Sequence, residues 1–277
     1  MIQDIEPYQF NNQYRILPPE RGSYLLYYEN NSCLLKESED GITFPTFAEL
    51  EPYLADLYEE YTYLFSIDDE RYYLLKEVNL EWLAEYKLKP KNEFRNIKPR
   101  YRAFAGITGM QLSNWYNNRR FCGRCGSRMR HDDKERMMRC DQCGLMEFPK
   151  ICPAVIIGVT DGNRLLMSKY AGREYKHYAL LAGFTEIGET AEETVQREVM
   201  EEVGLNVKNI QYYKSQPWSF TDTLLMGFFC ELDGEDKIQI DEDELALARW
   251  FERDEIPIPI SLESLTNEMI MKFKSGV

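Results

Sequence analysis

One segment of the chain carries a clear helical pattern of apolar positions. Between Ala191 and Val203 an apolar residue recurs at every fourth position, which predicts an amphipathic helix with a single buried stripe. Thr190, followed three residues later by Glu193, is a capping box that starts this helix. Gly204 suits the left-handed position just past its end. The pattern therefore predicts a helix with defined caps at both ends.

Carboxylates fall within or beside the apolar stripe of this helix. Glu198 and Glu202 are four residues apart, and Glu201 is three residues from Glu198. Like charges at this spacing weaken a bare helix by about 0.2–0.5 kcal/mol, and burying an unpaired carboxylate costs more. A divalent cation removes both penalties, and oxygen ligands without histidine favour Mg²⁺ or Mn²⁺ over zinc. A solvated acidic helix is the alternative, which accounts for Glu192 and Glu193 but not for core-facing carboxylates.

The apolar runs around the helix predict a mixed β-sheet. We expect strands at 154–159, 165–168, 178–182, 207–214, 224–232 and 238–240, with a turn at 161–163. A last helix is expected from about Leu262 to Lys274. Strands that flank one capped helix and are followed by a terminal helix favour an α/β/α sandwich, and thus the α/β fold class.

Residues 1–100 are expected to form a separate α+β domain that serves as scaffold or dimer surface. The pattern predicts one hairpin around Asn30-Asn31, an acidic helix from Thr46 to about Glu60, and a second hairpin within 61–78. Cys33 is expected to be a buried thiol. No catalytic constellation is apparent in this region.

A basic, proline-bearing stretch follows at residues 87–102, which predicts a solvated linker. The alternative is that some of its cations meet a substrate phosphate, with Arg95 as the candidate. A helix is then expected from about Met110 to Arg119. The expected domains are therefore 1–100, a helix with a cysteine-rich module at 101–150, and 151–277.

Two C-x2-C pairs, separated by fourteen residues, predict a zinc ribbon more strongly than a redox site. Their members are Cys122, Cys125, Cys140 and Cys143. A glycine directly after each pair permits the tight turn that points both thiolates at one ion. Four sulfur ligands leave no open position, so we expect one structural Zn²⁺ per chain and an exposed, non-ligating His131.

Composition excludes several function classes. The chain has 277 residues, of which 44% are hydrophobic, and a net charge of −14, which argues against general nucleic-acid or membrane binding. Seven cysteines, no apolar leader and no run of about 18 apolar residues predict a cytoplasmic protein without membrane contact. The ribbon is locally basic, which keeps a nucleic-acid-binding module with an inert acidic helix as a rival. Its arginines are Arg119, Arg120, Arg124, Arg128 and Arg130.

The segment from Gly183 to Leu205 resembles the Nudix box, G-x5-E-x7-R-E-U-x-E-E-x-G-U, where U is aliphatic. The matching positions are Gly183, Glu189, Arg197, Glu198, Val199, Glu201, Glu202, Gly204 and Leu205. Nine fixed positions over 23 residues make a specific signal. The family hydrolyses nucleoside diphosphates that are linked to another group, and its fold is the α/β/α sandwich expected above.

A second informative stretch lies at residues 215–226. Trp218 and Phe220, interleaved with hydroxyl residues, suit an exposed wall for a flat base; the alternative is a loop that tucks Trp218 into the core. The segment resembles S-Q-P-W-P-F-P-x-S, the mark of the NADH pyrophosphatase branch of Nudix hydrolases, which also carries a four-cysteine ribbon. The resemblance covers about residues 100–277. Ser219, Thr221 and Thr223 depart from the motif, so the loop is less stiff and the preference for NAD(H) is less defined.

The resemblance implies roles for individual residues. The implied ligands of Mg²⁺ or Mn²⁺ are Glu198, Glu201, Glu202, Glu244 and the carbonyl of Ala182, with Glu202 as ligand and possible base. Phe184 is implied to stack on the nicotinamide. The other implied substrate contacts are Glu135, Phe148, Gln216, Pro217, Trp218, Ser219, Phe220, Thr221, Asp222, Thr223 and Thr266. Gly183, Glu189, Arg197 and Gly204 hold the geometry of the motif. His177 is a possible acid/base group or a surface residue.

The resemblance implies hydrolysis of NADH or NAD⁺ to AMP and nicotinamide mononucleotide with two to three Mg²⁺ or Mn²⁺ ions, by a homodimer. Removal of NAD caps from RNA uses the same bond. ADP-ribose and FAD are alternative substrates.

Overall fold

The computed structural model describes residues 1–172, 177–257 and 264–276, and the chain divides into two compact units. One unit holds Ile2–Lys150 together with Ser219–Asp222. The other holds Met1, Ile151–Trp218 and Thr223–Val277. The further boundary expected at residue 100 stays a prediction.

The first unit starts with two small sheets and two helices. Its elements are β1 (Phe10–Asn11), β2 (Tyr24–Leu26), β3 (Tyr28–Glu29), β4 (Ser32–Ser38), β5 (Gly41–Thr43), α1 (Phe47–Leu50), β6 (Thr62–Ile67), β7 (Glu70–Leu74), β8 (Lys87–Pro90) and α2 (Arg100–Asn118). One sheet has the order β1-β6-β7-β2, and in the other β4 pairs with β3, β5 and β8. Both predicted hairpins are confirmed, as β3–β4 and β6–β7. Cys33 is buried, as predicted.

Three expectations for this region are wrong. Helix α1 ends at Leu50 instead of near Glu60, and Pro52 lacks the N–H that would continue the helical hydrogen bonds. Residues 87–102 are not a solvated linker, because β8 pairs with Ser32–Leu35 of β4 and a 3₁₀ helix follows at Lys91–Arg95. Helix α2 begins ten residues before the predicted Met110.

Close packing explains why the start of α2 was missed. A Cβ atom on Gly106 would lie 2.3 Å from Cε1 of Phe94, and one on Gly109 would lie 2.3 Å from Oη of Tyr28. Glycine lowers helix propensity, but here it lets neighbouring side chains approach the helix backbone. The buried residues of α2 also surround the helix instead of forming a stripe.

The ribbon completes the first unit with β9 (Arg130–His131), β10 (Met138–Arg139) and β11 (Met146–Glu147), in the order β11-β10-β9. Both pairings are antiparallel. His131 is partly buried and stacks on Tyr116 with ring centroids 4.7 Å apart, so the expectation of an exposed histidine is wrong.

The second unit is built on one six-stranded sheet. Its elements are β12 (Cys152–Asp161), β13 (Arg164–Tyr170), β14 (Leu181–Phe184), α3 (Ala191–Val203), β15 (Val207–Trp218), β16 (Thr223–Leu232), β17 (Leu245–Glu252) and α4 (Leu265–Ser275). The order is β15-β16-β12-β13-β17, and β14 also pairs with β12. Only β12 and β16 run parallel among these described strands, so the predicted mixed sheet is confirmed.

The two helices cover opposite faces of this sheet. Val155 and Ile157 of β12 belong to a core that includes Val199 of α3. Ile156, between them, belongs to a second core with Met269 of α4. Because neighbouring strand residues point to opposite faces, this alternation confirms the α/β/α sandwich.

Two expectations for the second unit concern a strand at residues 238–240 and the start of the last helix. Residues 238–240 are not a strand, and the strand β17 at Leu245–Glu252 was missed. The predicted helix start at Leu262 lies outside the described residues; the helix that the structure describes begins at Leu265, after the N-cap Ser264.

Candidate active site

Helix α3 is fixed at both ends by its own sequence. The Thr190 hydroxyl accepts a hydrogen bond from the Glu193 N–H at 3.2 Å, and the Glu193 carboxylate accepts one from the Thr190 N–H at 2.8 Å. Gly204 ends the helix with φ of +68° and donates to the Met200 carbonyl at 3.0 Å. These caps fix where the helix begins and ends.

The stripe of α3 buries two carboxylates beside β14. Glu198 is 8% exposed and Glu202 is 2% exposed, among core valines of the same helix. A Cβ atom on Gly183 would lie 1.8 Å from Cδ of Glu198. The Glu198 carboxyl group therefore packs directly against the backbone of β14 at Gly183.

Arg197 connects the helix to the loop that precedes it. Its guanidinium donates to both carboxylate oxygens of Glu189, at 2.5 and 3.0 Å, and to the Phe184 carbonyl at 2.9 Å. Its Nη1 also donates to Glu198 at 2.8 Å and to Glu201 at 2.9 Å. One cation thus orders the 184–189 loop and two of the acidic residues.

The loop that carries Glu244 is attached to the C-terminal end of α3. Carbonyl groups that the helix leaves unsatisfied accept from the next segment: Val203 O from Gln239 N at 2.9 Å, and Glu202 O from Asp241 N at 3.0 Å. Asp241 O then accepts from Glu244 N at 3.2 Å. Residues 238–241 therefore cap a helix instead of extending the sheet.

The electrostatics of these carboxylates fit a hard cation. The pKa of Glu198 is raised above its ordinary value. Burial is the main cause, Arg197 opposes it, and the charges of Glu201 and Glu244 add to it. Carboxylate and backbone carbonyl oxygens are the donors that Mg²⁺ and Mn²⁺ accept. In the described part of the chain, however, only cysteines bring three or more ligand atoms within 4.8 Å of one another. The carboxylates are therefore neighbours that do not converge this closely.

The cysteines form a second cluster that could hold a metal ion. The Sγ atoms of Cys122, Cys125, Cys140 and Cys143 all lie within 4.8 Å of one another. Hydrogen bonds from Ser127 lower the pKa of Cys125 to about 6, which favours the thiolate that binds metal. Four sulfur ligands fit a closed tetrahedral Zn²⁺ site, as the ribbon pattern predicts.

Residues 215–223 form the end of the β15–β16 hairpin. Ser215–Trp218 continue β15, Thr223 opposite Trp218 starts β16, and Ser219–Asp222 make the turn, with Asp222 at φ of +59°. Gln216 is fully buried, and its side-chain oxygen accepts from the Leu265 N–H at 2.7 Å. This side chain holds the start of α4; its substrate role stays a prediction, as does that of exposed Pro217.

The aromatic residue of the turn is not exposed. Phe220 is 5% exposed, so the expectation of an exposed aromatic pair is wrong for this residue. The Arg95 guanidinium lies 5.1 Å from its ring centroid, and Lys91 Nζ donates to its carbonyl at 3.1 Å. Asp222 lies 3.8 Å from Lys150 Nζ. Basic residues of the first unit therefore surround the turn.

The remaining predicted site residues are distributed over both units. Phe184 and Phe148 are exposed, as are Glu135, Thr221 and His177, whereas Ser219 and Thr266 are partly buried. Thr194 was missed by the sequence analysis. Its buried hydroxyl donates to Glu189 at 3.0 Å, and a hydroxyl residue on the apolar side of α3 was the available signal.

Comparison with known families identifies both modules. Residues 150–273 match the NUDIX domain, and residues 117–148 match the NADH pyrophosphatase zinc ribbon domain. Among residues 1–172, 177–257 and 264–276, no helix has the length and apolarity needed to cross a membrane.

Curated relatives match the same part of the chain. A protein of Pseudomonas aeruginosa named NAD-capped RNA hydrolase NudC is 42% identical over 161 residues, 58% of this chain and 57% of that protein. A protein of the same name from Haemophilus influenzae is 37% identical over 155 residues, 54% of this chain and 58% of that protein. The matches thus span little more than half the length of these relatives.

Among solved structures, a NUDIX hydrolase from Nitrosomonas europaea is 26% identical, with a TM-score of 0.43 over 50% of this chain and 80% of that one. The domain assignment rests on the two domain matches alone. The chain therefore contains a stretch at residues 150–273 that matches the NUDIX domain, preceded at residues 117–148 by a match to the zinc ribbon domain of NADH pyrophosphatases.

Proposed function

We propose that this chain hydrolyses the diphosphate of NADH or NAD⁺ to AMP and nicotinamide mononucleotide. Water adds across the P–O–P linkage, so each product keeps one phosphate. The observation that carries the proposal is the burial of Glu198 and Glu202 on one face of α3, with Glu198 against Gly183. Arg197 shares its single positive charge among Glu189, Glu198 and Glu201. Because burying two carboxylates of like charge is costly, this arrangement supports a catalytic metal site.

The residues at this site would have different roles in the reaction. Glu198, Glu202 and exposed Glu201 and Glu244 supply oxygen ligands, together with the Ala182 carbonyl. Bound divalent cations would offset the diphosphate charge and lower the pKa of the attacking water. Glu202 is the residue we propose to orient that water and to accept its proton, and Arg197 holds the loop and Glu198 in place.

Removal of NAD caps from RNA is a second activity of the same site. It is favoured by the name NAD-capped RNA hydrolase that two matched relatives carry. The cap presents the same diphosphate, so no additional catalytic residue is needed. We further propose two to three Mg²⁺ or Mn²⁺ ions, one Zn²⁺ per chain, a homodimer and a cytoplasmic location.

Substrate comparison is the decisive experiment. Purified protein with Mg²⁺ or Mn²⁺ should convert NADH to AMP and reduced nicotinamide mononucleotide, resolved by chromatography. The values of kcat/KM for NADH, NAD-capped RNA, ADP-ribose and FAD rank the candidates. A dominant preference for ADP-ribose or FAD rejects the assignment, and a zinc-loaded, folded protein without hydrolytic activity supports the rival binding module.

One substitution tests the carboxylates directly. Glu202→Gln should lower kcat by about 10²-fold or more, because it removes the group that accepts the proton. Glu192→Gln is the matched control, since Glu192 is exposed on the same helix, and it should retain activity. Zinc content and circular dichroism establish that both variants are folded; an active Glu202→Gln variant removes this residue from its role.

A further inference from the structure

The zinc ribbon presents two matched pairs of side chains, one beside each cysteine pair. Phe121 lies opposite Arg128 in an antiparallel bridge, and Arg139 lies opposite Met146 in the β10–β11 pairing. Directly opposed residues project to the same side of a ladder. Each pair therefore places one cation beside one apolar side chain, and in both pairs the partners are seven residues apart.

The repetition follows from the two metal-binding turns. Gly126 N donates to Cys122 O and Gly144 N to Cys140 O, both at 2.9 Å. The same backbone hydrogen bond therefore closes both metal-binding turns, and each side-chain pair lies just outside its turn. Since the four Sγ atoms lie within 4.8 Å of one another, the two pairs flank a single metal centre. We call Phe121, Arg128, Arg139 and Met146 the knuckle face.

The apolar members of the knuckle face are open to solvent. Phe121 is 62% exposed and Met146 is 52% exposed, and Phe148, which follows β11, is 54% exposed. Arg128 and Arg139 are exposed as well. Arg139 lies 4.0 Å from Asp132, whereas Arg128 has no carboxylate partner within the residues that the structure describes.

The charge of the ribbon is opposite to that of the whole chain. Residues 117–148 contain eight Lys and Arg against five Asp and Glu, whereas the chain contains 33 against 47. A polyanion is therefore attracted to the ribbon and repelled by the chain as a whole. Exposed aromatic side chains interleaved with cations are the surface that single-stranded nucleic acid binds, by base stacking and phosphate contacts.

We propose that the knuckle face binds the single-stranded RNA chain of an NAD-capped substrate. A base stacks on Phe121, and Arg128 and Arg139 contact the adjacent phosphates. This inference rests on the proposed function for the identity of the nucleic acid. It assigns the ribbon a binding role in addition to its structural metal.

Binding is tested with the zinc-loaded, full-length protein and a fluorescent, uncapped single-stranded RNA of 12 nucleotides, a length on the order of the sites such proteins occupy. Phe121→Ala should weaken affinity about fivefold or more, the lower end for loss of one base stack. Phe121→Tyr should retain affinity and Phe121→Leu should not, because only the ring stacks. Arg128→Gln should make the slope of log K against log salt shallower by about 0.7, whereas Arg21→Gln, which changes an exposed cation that pairs with Glu51 outside the ribbon, should leave it unchanged.

Hydrolysis of free NADH separates this inference from the proposed function. The knuckle-face variants should keep the kcat/KM for NADH while losing it for NAD-capped RNA, so inactivity of the wild type toward NADH counts against the function alone. Equal RNA affinity of Phe121→Ala, Arg128→Gln and Arg21→Gln overturns the inference. It is also overturned if Phe121→Ala dissociates a dimer in sedimentation without changing RNA affinity, because the face then contacts a second copy.

Discussion

Gly183 leaves room for the carboxyl group of Glu198. A Cβ atom added at position 183 would lie 1.8 Å from Cδ and 1.9 Å from Oε1 of that glutamate. Gly183 is within β14 and Glu198 is on α3. A strand position that lacks a side chain and a capped helix therefore together fix the position of the Glu198 carboxyl group. The Nudix-box glycine therefore serves side-chain packing, which is separate from any need for an unusual backbone angle.

Gly183→Ala should displace Glu198 and lower kcat for NADH about 10²-fold, the loss expected when a reacting group is misplaced by about 1 Å. Overpacking should also lower the free energy of unfolding by about 1–3 kcal/mol. Steady-state kinetics and urea unfolding measure the two effects. Gly22→Ala is the control, because a Cβ atom there meets nothing within 4 Å; full activity of Gly183→Ala would contradict the packing argument.

The Arg197–Glu189 pair should make the stability of the fold depend on acid. The Arg197 guanidinium and the Glu186 N–H lower the pKa of Glu189 from 4.5 to about 2. A carboxyl group with a lowered pKa in the folded state stabilises it above about pH 4.5, and this contribution is lost as the pH falls toward 2.

Arg197→Met should therefore lower the melting temperature at pH 7, and its melting temperature should fall less steeply than that of the wild type between pH 4.5 and pH 2. Circular dichroism melts across this range measure both. Lys237→Met, which removes an exposed cation of the same unit, should keep the wild-type profile. Parallel profiles for wild type and Arg197→Met would show that the pair does not stabilise the fold.

Local signals in the sequence were enough to predict α3 and the ribbon. The Thr190–Glu193 box and Gly204 define the helix ends by bonds within a few residues, and the cysteine spacing defines the metal-binding turns. Glu198 was placed correctly beside the apolar stripe, and it is buried.

Long-range contacts explain what the sequence did not predict. Ile238 and Ile240 alternate like a strand, but the intervening Gln239 donates its N–H to the Val203 carbonyl of α3. The alternation of apolar and polar residues shows which side chains are buried, but it does not show with which groups the backbone forms hydrogen bonds. Phe220 was predicted to be exposed because its neighbours in sequence are polar. In the structure it is covered by Arg95 and Lys91, which are far away in sequence.

Gln216 should stabilise the second unit through its bond to α4. Gln216→Ala removes the acceptor of the Leu265 N–H in a buried environment, which should lower the free energy of unfolding by about 1–3 kcal/mol. Urea unfolding measures this change. Pro217→Ala, at the exposed neighbouring position, should have a smaller effect. A Gln216→Ala variant of unchanged stability but raised KM for NADH would instead assign this residue to substrate binding.

Removal of zinc should loosen the N-terminal part of the first unit as well as the ribbon. Arg136 of the ribbon donates to the Leu64 carbonyl of β6 at 2.5 Å, and the Asp132 carbonyl accepts from the Tyr14 hydroxyl at 2.7 Å. Because a structural zinc site contributes folding free energy, its loss should remove these contacts. Hydrogen exchange at residues 62–67 should therefore accelerate in Cys125→Ser and after chelation.

The control for zinc removal is Cys152→Ser, which changes a cysteine outside the metal cluster. This variant should keep about one zinc per chain by elemental analysis and wild-type exchange at residues 62–67. Cys125→Ser should lose the metal. Zinc loss that leaves exchange in β6 unchanged would show that the ribbon and the N-terminal sheets fold independently, since the contacts of Arg136 and Tyr14 would then carry no stabilisation from one to the other.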